Sequence, residues 1–449
     1  MKVDQKERTP YLNVFGLAPL TIYTKPFKCG GKCLFCFTQE NVPKSFFENE
    51  DTIPAQEVNW DAGKQLELLY EKKNIKRGVG NKIEVIILGG SFTYFPFDYL
   101  ESFIKSVYDF LNGFVSPTFL EAKQNQKSGL DRCVVLAIET RPDLITAEIC
   151  EFLLHLGVTK IEFGVQSLDP KVLLLNRRLH DSRQVIISTK LVRDFGFKIG
   201  YHIMVGLPGS EIEEDFNMLS KSLWQEQYSP DYLKIYPCII LKGNYGQSAI
   251  KKLTKSIWTP LSNESYIELV KRIKPYIPKY VYLNRIQRIA EPEMIEFGPS
   301  NIVDRNDFFE LCQCIWHRSI IHEENMDTTD YSQFSINIIK QGQGYFVEAL
   351  SKKGKLLGFL RIGISKELKR SIVREIRVYG AAKLLANKTN LGVQHIGIGK
   401  LLMKTAEQIA IENESNTILV NSGIGVKQYF EKLGYQDTGT YLKKKVNEL

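Results

Sequence analysis

The sequence lacks the features of secreted and membrane-bound proteins. No apolar run among its 449 residues approaches the roughly 18–20 residues that a membrane-spanning helix needs. The N-terminal stretch MKVDQKERTP is polar and contains no apolar signal core. Internal repeats and low-complexity segments are also absent. These absences predict a cytoplasmic globular protein without a membrane partner.

Cysteine is too scarce for a fold held together by disulfide bonds, because only 8 cysteines occur in the whole chain. Five of them form two tight groups, Cys29/Cys33/Cys36 and Cys312/Cys314. In a reducing compartment, such grouping points to bound metal rather than to disulfide bridges. The two cysteine groups are therefore candidate metal sites.

The composition is that of an ordinary soluble protein, with 43% hydrophobic and 24% charged residues. A chain of this length accommodates about two or three domains. The net charge of +8 suits an anionic polymer as a partner, and it suits a mildly basic surface equally well.

Short β-branched segments alternate with helical segments between about residues 80 and 290. The predicted strands are Ile83–Leu88, Val134–Glu139, Lys160–Val165, Lys198–Met204, Tyr232–Tyr236 and Tyr280–Asn284. The predicted helices include Pro142–Leu156, Arg183–Phe195 and Ser262–Ile273. This alternation predicts an α/β fold, a parallel sheet with outer helices that closes wholly or partly into a barrel. Polar strand ends then carry the chemistry, and Gly113–Arg132 is predicted to be a surface loop.

The pattern changes twice along the chain. We predict a barrel domain at 1–290, a linker with the second cysteine group at 291–332, and an α+β domain at 333–449. The α+β prediction rests on antiparallel strands, then a Gly-containing turn, a helix and a further strand. These are strands Val347–Leu350, Leu356–Ile364 and Ile372–Val378, helix Gly399–Asn413, strand Thr417–Asn421, helix Val426–Leu433 and a strand near Thr440–Lys443. Such a domain is expected to bind a phosphate-bearing ligand.

The first cysteine group has the spacing C-x3-C-x2-C, formed by Cys29, Cys33 and Cys36. Three thiolates on one tight loop can hold three irons of a 4Fe–4S cluster. The fourth iron can then chelate S-adenosylmethionine (SAM). A zinc knuckle is the alternative. The pair Gly89–Gly90 ends the first long strand, where glycine permits close approach of the backbone to SAM or simply makes a turn.

A second motif, Q-x-x-G-x-G, lies at a predicted helix start and comprises Gln394, Gly397 and Gly399. Glycines and a helix N-terminus together can surround a pyrophosphate. With the later string Tyr429–Tyr435, the motif resembles GNAT-type acetyltransferases, whose turn holds the pyrophosphate of CoA. The resemblance implies acetyl-CoA binding at this turn, which includes His395.

Tyr429 and Tyr441 are candidate polar groups near the thioester of that ligand. The alternative is that both are core tyrosines whose hydroxyl groups reach water.

The order of motifs resembles that of the catalytic subunit of Elongator and its bacterial and archaeal relatives. The resemblance covers about residues 10 to 445 and includes the cysteine loop and the Gly turn. Further matching strings are Val14–Pro19, Thr24–Pro26, Val85–Thr93, Glu139–Asp143, Glu162–Ser167, Lys234–Pro237, Arg285–Arg288 and Arg374–Gly380. The resemblance implies a radical SAM barrel followed by a GNAT-like acetyltransferase domain.

It also implies an activity: 5-carboxymethylation of the wobble uridine of tRNA, with acetyl-CoA as carbon donor. A 5′-deoxyadenosyl radical from SAM would take hydrogen from the acetyl methyl group. The resulting carbon radical would add to carbon 5 of uracil, and the thioester would be hydrolysed. The base must leave its stack, and Arg and Lys side chains would hold the anticodon stem-loop. In a eukaryote, other Elongator subunits would be partners.

The resemblance marks several further residues. The candidates for contact with SAM or for structural roles are Glu139, Arg141 and Gln166. The candidates for lining the acyl or uridine site are Lys234 and Tyr236. Arg285 and Arg288 are expected to be surface cations, and His202 is expected to be a satisfied core histidine.

The second cysteine group matches a zinc element of prokaryotic relatives. Cys312 and Cys314 are retained, and His317 replaces the third thiolate. Histidine is an acceptable zinc ligand, so we predict a zinc site; the alternative is an ordinary linker.

Three other functions compete with tRNA carboxymethylation. One is a protein lysine acetyltransferase with a structural cluster, and another is a degenerate member that holds tRNA or CoA without turnover. A methylthiotransferase is the third, but it leaves the CoA turn unexplained.

Overall fold

A computed structural model describes residues 12–13, 16–49, 51–254, 258–287, 290–300, 303–323, 331, 333–379 and 397–446. Among these residues, no helix has both the length and the apolar character that crossing a membrane would require.

The first part of the chain forms a parallel sheet whose two edge strands stay apart, so it is a partial barrel. Its strands, in spatial order, are β1 Ala18–Tyr23, β2 Lys82–Leu88, β3 Arg132–Thr140, β4 Lys160–Gln166, β5 Lys198–Val205, β6 Tyr232–Pro237 and β8 Tyr282–Arg285. A small antiparallel pair lies beside it, formed by β7 Ile240–Leu241 and β9 Ile295–Phe297. The predicted α/β fold with a parallel, partly closed sheet is confirmed.

Helices follow most strands, as parallel crossovers require. They are α1 Thr52–Glu57, α2 Ala62–Lys72, α3 Phe97–Asn112, α4 Phe119–Asn125, α5 Ala147–Leu156, α6 Pro170–Leu175, α7 Ser182–Asp194, α8 Ile212–Ser220, α9 Ser248–Leu253, α10 Asn263–Ile273 and α11 Ile315–Arg318. The loop prediction for residues 113–132 is wrong, because this segment contains α4. Thr118 caps that helix by accepting a hydrogen bond from the Glu121 amide.

The strands of the barrel alternate between two faces. On β4, the outward residues Ile161, Phe163 and Val165 are fully buried in the main core. The inward residues Lys160 and Glu162 are ion-paired with each other. Strand geometry places every second residue on the same face, so the inside of this barrel is charged.

The second part of the chain is a mostly antiparallel sheet with the spatial order β10-β11-β12-β13-β14-β16-β15. Its strands are β10 Phe334–Gln341, β11 Gly344–Ser351, β12 Leu356–Ser365, β13 Arg370–Val378, β14 Thr417–Val420, β15 Gln436–Asp437 and β16 Leu442–Lys445. Two helices accompany it, α12 Ile398–Glu412 and α13 Lys427–Glu431. Strands β1 and β10 were not predicted from the sequence.

The second sheet covers the N-terminal end of the barrel through a buried ionic junction. Asp231, just before β6, accepts hydrogen bonds from Arg374 of β13 at 2.9 Å and from Gln341 of β10 at 2.7 Å. All three side chains are buried. At Gly423, an added Cβ would lie 2.1 Å from the carbonyl oxygen of Val134, so the two backbones touch there. The C-terminal ends of the barrel strands stay free to form a site.

Candidate active site

The three predicted cluster ligands lie on the loop after β1, at the C-terminal end of the barrel. Two arginines attach this loop to neighbouring strand ends. Arg141, directly after β3, donates to the carbonyl oxygen of Cys29. Arg178 places its Nη1 3.2 Å from the Sγ of Cys33. Arginine side chains in these positions would offset the negative charge of thiolate ligands.

The sulfurs of Cys29 and Cys33 face one small space beside Gly31. A Cβ added to Gly31 would lie 3.6 Å from the first sulfur, 3.7 Å from the second and 3.6 Å from the Arg141 guanidinium. Any larger residue would thus enter the space between the thiols. Sulfur donors around an open space, with cationic neighbours, fit the cysteine ligation of a 4Fe–4S cluster.

The predicted SAM contacts lie at adjacent strand ends. Gly89 and Gly90 end β2 with φ of +132° and +96°. At Gly89 an added Cβ would lie 2.0 Å from Thr24 Oγ1, so only glycine fits. Gln166 ends β4 with φ of +71°, a conformation that non-glycine residues seldom adopt. Its Oε1 is buried, and no residue in the described part of the chain donates a hydrogen bond to it; such an acceptor calls for an external donor.

Arg141 and Glu139 leave the end of β3 in different directions. Arg141 forms a two-point ion pair with Asp143, with Nε 3.0 Å from Oδ1 and Nη2 2.8 Å from Oδ2. It therefore combines the structural ion pair with a contact to the cysteine loop. Glu139 instead points into the barrel, with its Oε1 3.3 Å from the Nζ of Lys234.

A charged network fills the interior of the barrel around Glu162. One carboxylate oxygen of Glu162 lies 2.6 Å from Lys160 Nζ, and the other lies 2.5 Å from Lys234 Nζ and 2.7 Å from His202 Nε2. Burial alone would raise the pKa of Glu162, but Lys160 and Lys234 hold it well below its usual range. Burial likewise opposes the charge on Lys234, yet Glu162 raises the pKa of Lys234 above its usual range.

Glu139, Glu162 and His202 are close enough to share a metal ion. The ammonium group of Lys234 already bridges the two carboxylates, so a cation is present. The ring of Tyr236 contacts that of His202 edge-on, with centroids 5.7 Å apart. Burial raises the pKa of Tyr236, so its hydroxyl stays a neutral donor. The structure brings Glu139, Lys234 and Tyr236 together. It adds Lys160, which the sequence did not indicate, and His202, which was expected to be a core histidine.

The Gly turn of the second sheet begins α12. Gly397 has φ of +91°, and an added Cβ there would meet none of the described residues within 4 Å. Gln394, His395 and Arg288 lie outside the described residues. Strands β13 and β14 pair only from Arg370 to Val373. Since β13 continues to Val378, the two strands separate near the N-terminus of α12, where the first N–H groups have no partner within the helix.

The two candidate tyrosines lie at different places. A Cβ added to Gly399 would be 2.7 Å from the hydroxyl of Tyr429, which therefore lies at the helix start. Tyr441 instead donates to the carbonyl oxygen of Phe195 at 2.9 Å, across the boundary between the two sheets. Only Tyr429 is adjacent to the Gly turn.

The second cysteine group is closed and buried. Cys312, Cys314 and His317 place their ligand atoms within 4.8 Å of one another. His317 donates from Nε2 to the carbonyl oxygen of Arg305 at 2.8 Å, so its Nδ1 carries the lone pair and faces Cys314 Sγ at 3.0 Å. This donor set fits the tetrahedral nitrogen and sulfur chemistry of zinc. Buried Lys274 donates to the same Arg305 carbonyl at 2.6 Å.

Comparison with known proteins follows this division of the chain. The model of the radical SAM superfamily matches residues 24–220, and that of the radical SAM C-terminal domain matches residues 230–310. The chain is 32% identical, over 98% of its length, to tRNA uridine(34) acetyltransferase from Methanocaldococcus infernus, of which it covers 87%. It is 29% identical, over 97% of its length, to human Elongator complex protein 3, of which it covers 85%.

The solved structure of archaeal Elp3 from Methanocaldococcus infernus, which lacks the N-terminal residues 1–46, has the same architecture. The TM-score is 0.79 at 30% identity, with 96% of this chain and 100% of that chain covered. Similarity of sequence and structure over nearly the whole length shows common descent. The chain therefore belongs to the Elongator protein 3 family of radical SAM proteins.

Proposed function

We propose that this protein carboxymethylates carbon 5 of the wobble uridine of tRNA, with acetyl-CoA as the carbon donor. Relatives named tRNA uridine(34) acetyltransferase match nearly the whole chain. The observation that carries the proposal is a chain of ionic, cation–π and hydrogen-bond contacts that joins the two halves. Glu162 binds Lys160, whose Nζ lies 4.1 Å from the ring centre of Tyr232, and Tyr232 donates to Glu375 of β13.

The family implies a 4Fe–4S cluster and SAM. When bound, they supply a carbon radical able to remove hydrogen from an unreactive methyl group. Cys29, Cys33 and Cys36 would hold the cluster. Gly89 and Gly90 would let SAM approach the backbone, and the unpartnered Oε1 of Gln166 would accept a hydrogen bond from it. Arg141 would contact SAM beside the cysteine loop, and Glu139 would approach it from the barrel interior.

Acetyl-CoA would bind at the other end of the barrel. The turn of Gly397 and Gly399, with Gln394 and His395 before it, would hold the pyrophosphate at the start of α12. The acyl arm would follow the opening between β13 and β14 into the barrel. Lys234 and Tyr236 would face the acyl group there. Tyr429 lies beside the turn, and a catalytic role for Tyr441 would require its bond to Phe195 to open.

The anticodon stem-loop would approach the cysteine end of the barrel. Exposed basic side chains occupy the cysteine loop and the segments that contact it. They are Lys25, Lys28, Lys32, Lys171, Arg177 and Lys242. Such side chains bind phosphates without reading sequence, and the uridine would have to turn out of its stack to enter. Further Elongator subunits would join in a eukaryotic cell.

We also propose a structural zinc ion at Cys312, Cys314 and His317. Burial of all three donors favours a structural role, and a structural zinc ion would take a fourth ligand to complete its tetrahedron. The hydrogen bond from His317 Nε2 to a carbonyl is the second contact that zinc-binding histidines usually make.

The test is anaerobic reconstitution with iron and sulfide, followed by incubation with tRNA, SAM, dithionite and acetyl-CoA labelled in the methyl group. Mass spectrometry of nucleosides should then find label on the wobble uridine, only when every component is present. No label on uridine, together with strong acetylation of lysine in a protein substrate, would instead establish a protein acetyltransferase.

A further inference from the structure

A histidine and a carboxylate form a hydrogen-bonded pair in the middle of the barrel. Nε2 of His202 lies 2.7 Å from one Oε of Glu162 and 3.5 Å from an Oε of Glu139. A carboxylate can only accept, so Nε2 carries the hydrogen and Nδ1 carries the lone pair. Among the described residues, none forms a hydrogen bond with Nδ1.

The open nitrogen borders accessible space. The side chain of His202 keeps 12% of its surface accessible, and those of Glu139 and Lys234 keep 18% and 15%. Glu162 itself is only 3% accessible. The pair is therefore anchored on its carboxylate side and open on its imidazole side. This is the arrangement in which a histidine acts as a general base and its carboxylate fixes the tautomer.

Among the described residues, several charged or titratable groups contact His202 or share Glu162 with it. They are Glu139 on β3, Lys160 and Glu162 on β4, and Lys234 and Tyr236 on β6. The ammonium group of Lys234 balances the two carboxylates, so it takes the position that a metal ion would need. The Tyr236 hydroxyl is the remaining uncharged donor. A base with an adjacent hydrogen-bond donor and an adjacent cation suits attack of water on a carbonyl group.

We infer that His202 is the general base that hydrolyses an acyl thioester inside the barrel, with Glu162 as its positioning residue. This inference rests on the proposed function, in which the acyl carbon stays joined to CoA until carbon 5 of uridine is substituted. Nδ1 takes a proton from water while the water oxygen bonds to the carbonyl carbon. The bond between that carbon and sulfur then breaks, and the imidazolium returns the proton to the CoA sulfur. Water is the only co-reactant.

The charge that develops on the carbonyl oxygen needs nearby donors. The Tyr236 ring contacts the His202 ring, and the Lys234 ammonium binds the same Glu162 oxygen as His202, so we assign these two side chains as the donors. Preorganised donors of this kind stabilise the developing charge more strongly than water does. The radical step and the hydrolytic step would therefore use different groups within the barrel.

The test compares His202→Gln with wild-type protein, both reconstituted. Glutamine keeps an N–H group for Glu162 but cannot accept a proton. General-base catalysis contributes about 10²–10⁴-fold, so release of free carboxymethyluridine should fall at least about 100-fold. The tRNA should instead accumulate a uridine still joined to CoA through the thioester, visible by intact mass after an acid quench. Formation of 5′-deoxyadenosine in the first turnover should persist.

The matched control is His155→Gln, because Nε2 of His155 lies 3.2 Å from Glu101 in a similar pair on the outside of the protein. It should behave like wild type. A further variant, His202→Ala, should regain hydrolysis when imidazole is added, which a purely structural role would not produce.

Two outcomes would overturn the inference: an unchanged rate in His202→Gln, or loss of 5′-deoxyadenosine together with every uridine product. If wild-type protein itself leaves uridine unmodified, the proposed function fails instead, and the two failures are thereby distinguished.

Discussion

The inner and outer faces of the barrel sheet differ in chemistry, although the same strands build both. On β4, Ile161, Phe163 and Val165 point outward into an apolar core, whereas Lys160 and Glu162 point inward into an ionic network. The outer face stabilises the fold through burial of apolar surface. The inner face gains little from its ion pairs, because removal of charges from water offsets most of their attraction.

This difference indicates that the inner face of the sheet, rather than the outer face, serves the reaction. Packed apolar side chains would fill a barrel at least as stably as buried charges do. Here the accessible charged groups lie between the cysteine loop at one end of the barrel and the second sheet at the other. The inner face therefore holds reactive groups at a cost in stability, and the outer face compensates for that cost.

The largest expected effect is the complete loss of iron binding when a cysteine of the loop is replaced. Cys33→Ala should abolish iron binding and 5′-deoxyadenosine formation, because Cys33 is one of only three candidate cluster ligands. Binding of CoA should be unaffected, since the Gly turn belongs to the other sheet. Iron analysis, absorption spectra and CoA titration measure these properties. The control is Cys150→Ala, a buried cysteine of α5 on the outer side.

Cys150→Ala should bind iron like wild type and should only lower stability. Equal loss of iron in both variants would mean that iron binding depends on general folding rather than on the cysteine loop. The loop cysteines and the buried cysteine of α5 would then not differ in their effect on iron binding.

The sequence predicts the barrel well, because each strand and helix has a strong local pattern. Helix α4 was missed since it is only a short capped turn within a polar segment. Strands β1 and β10 have no clear strand pattern of their own, and they are explained by their pairing within the folded sheets. Local sequence patterns thus predict single helices and strands, whereas β1 and β10 depend on the strands that they pair with.

The site was predicted less completely, for a physical reason. The cysteine spacing is local, so the sequence alone identifies Cys29, Cys33 and Cys36 as candidate cluster ligands. His202 was expected to be a core histidine, because nothing near it in sequence shows that Glu162 lies opposite. The bond of Tyr441 to Phe195 depends on packing between the two sheets. The sequence does contain a signal for the ionic network, because charged residues occupy alternate positions of neighbouring strands.

The second prediction compares neighbouring residues on opposite faces. Glu162→Gln removes the carboxylate that Lys160, Lys234 and His202 share, and it should lower the free energy of unfolding by about 3–5 kcal/mol, as breaking a buried ion pair does. Ile161→Val on the outer face should lower it by about 0.5–1.5 kcal/mol. Urea denaturation followed by circular dichroism measures both. Similar values for the two variants would remove the energetic distinction between the faces.

The smallest expected effect is a gain in stability rather than a loss, and its size depends on pH. Lys198 shares the inner face of β5 with His202, and burial lowers its pKa to about 8, with Glu375 and Arg377 acting in opposite directions. The unfolded chain keeps the ordinary value of 10.5. Between these values the unfolded state binds more protons, so this lysine makes stability rise with pH. Below pH 8 the charge is buried at full cost.

Lys198→Met should therefore raise the free energy of unfolding at pH 7 by about 1–3 kcal/mol, because an apolar side chain replaces a buried charge. The gain should shrink towards zero as pH rises from 8 to 10.5. Lys190→Met, at an exposed lysine 2.7 Å from Asp194, should change stability by less than about 0.5 kcal/mol. Unfolding of each variant against wild type at pH 7 and at pH 10 decides the matter. A gain that stays constant with pH would show that Lys198 is not a buried charge, and the inner face would then be less costly than its ion pairs suggest.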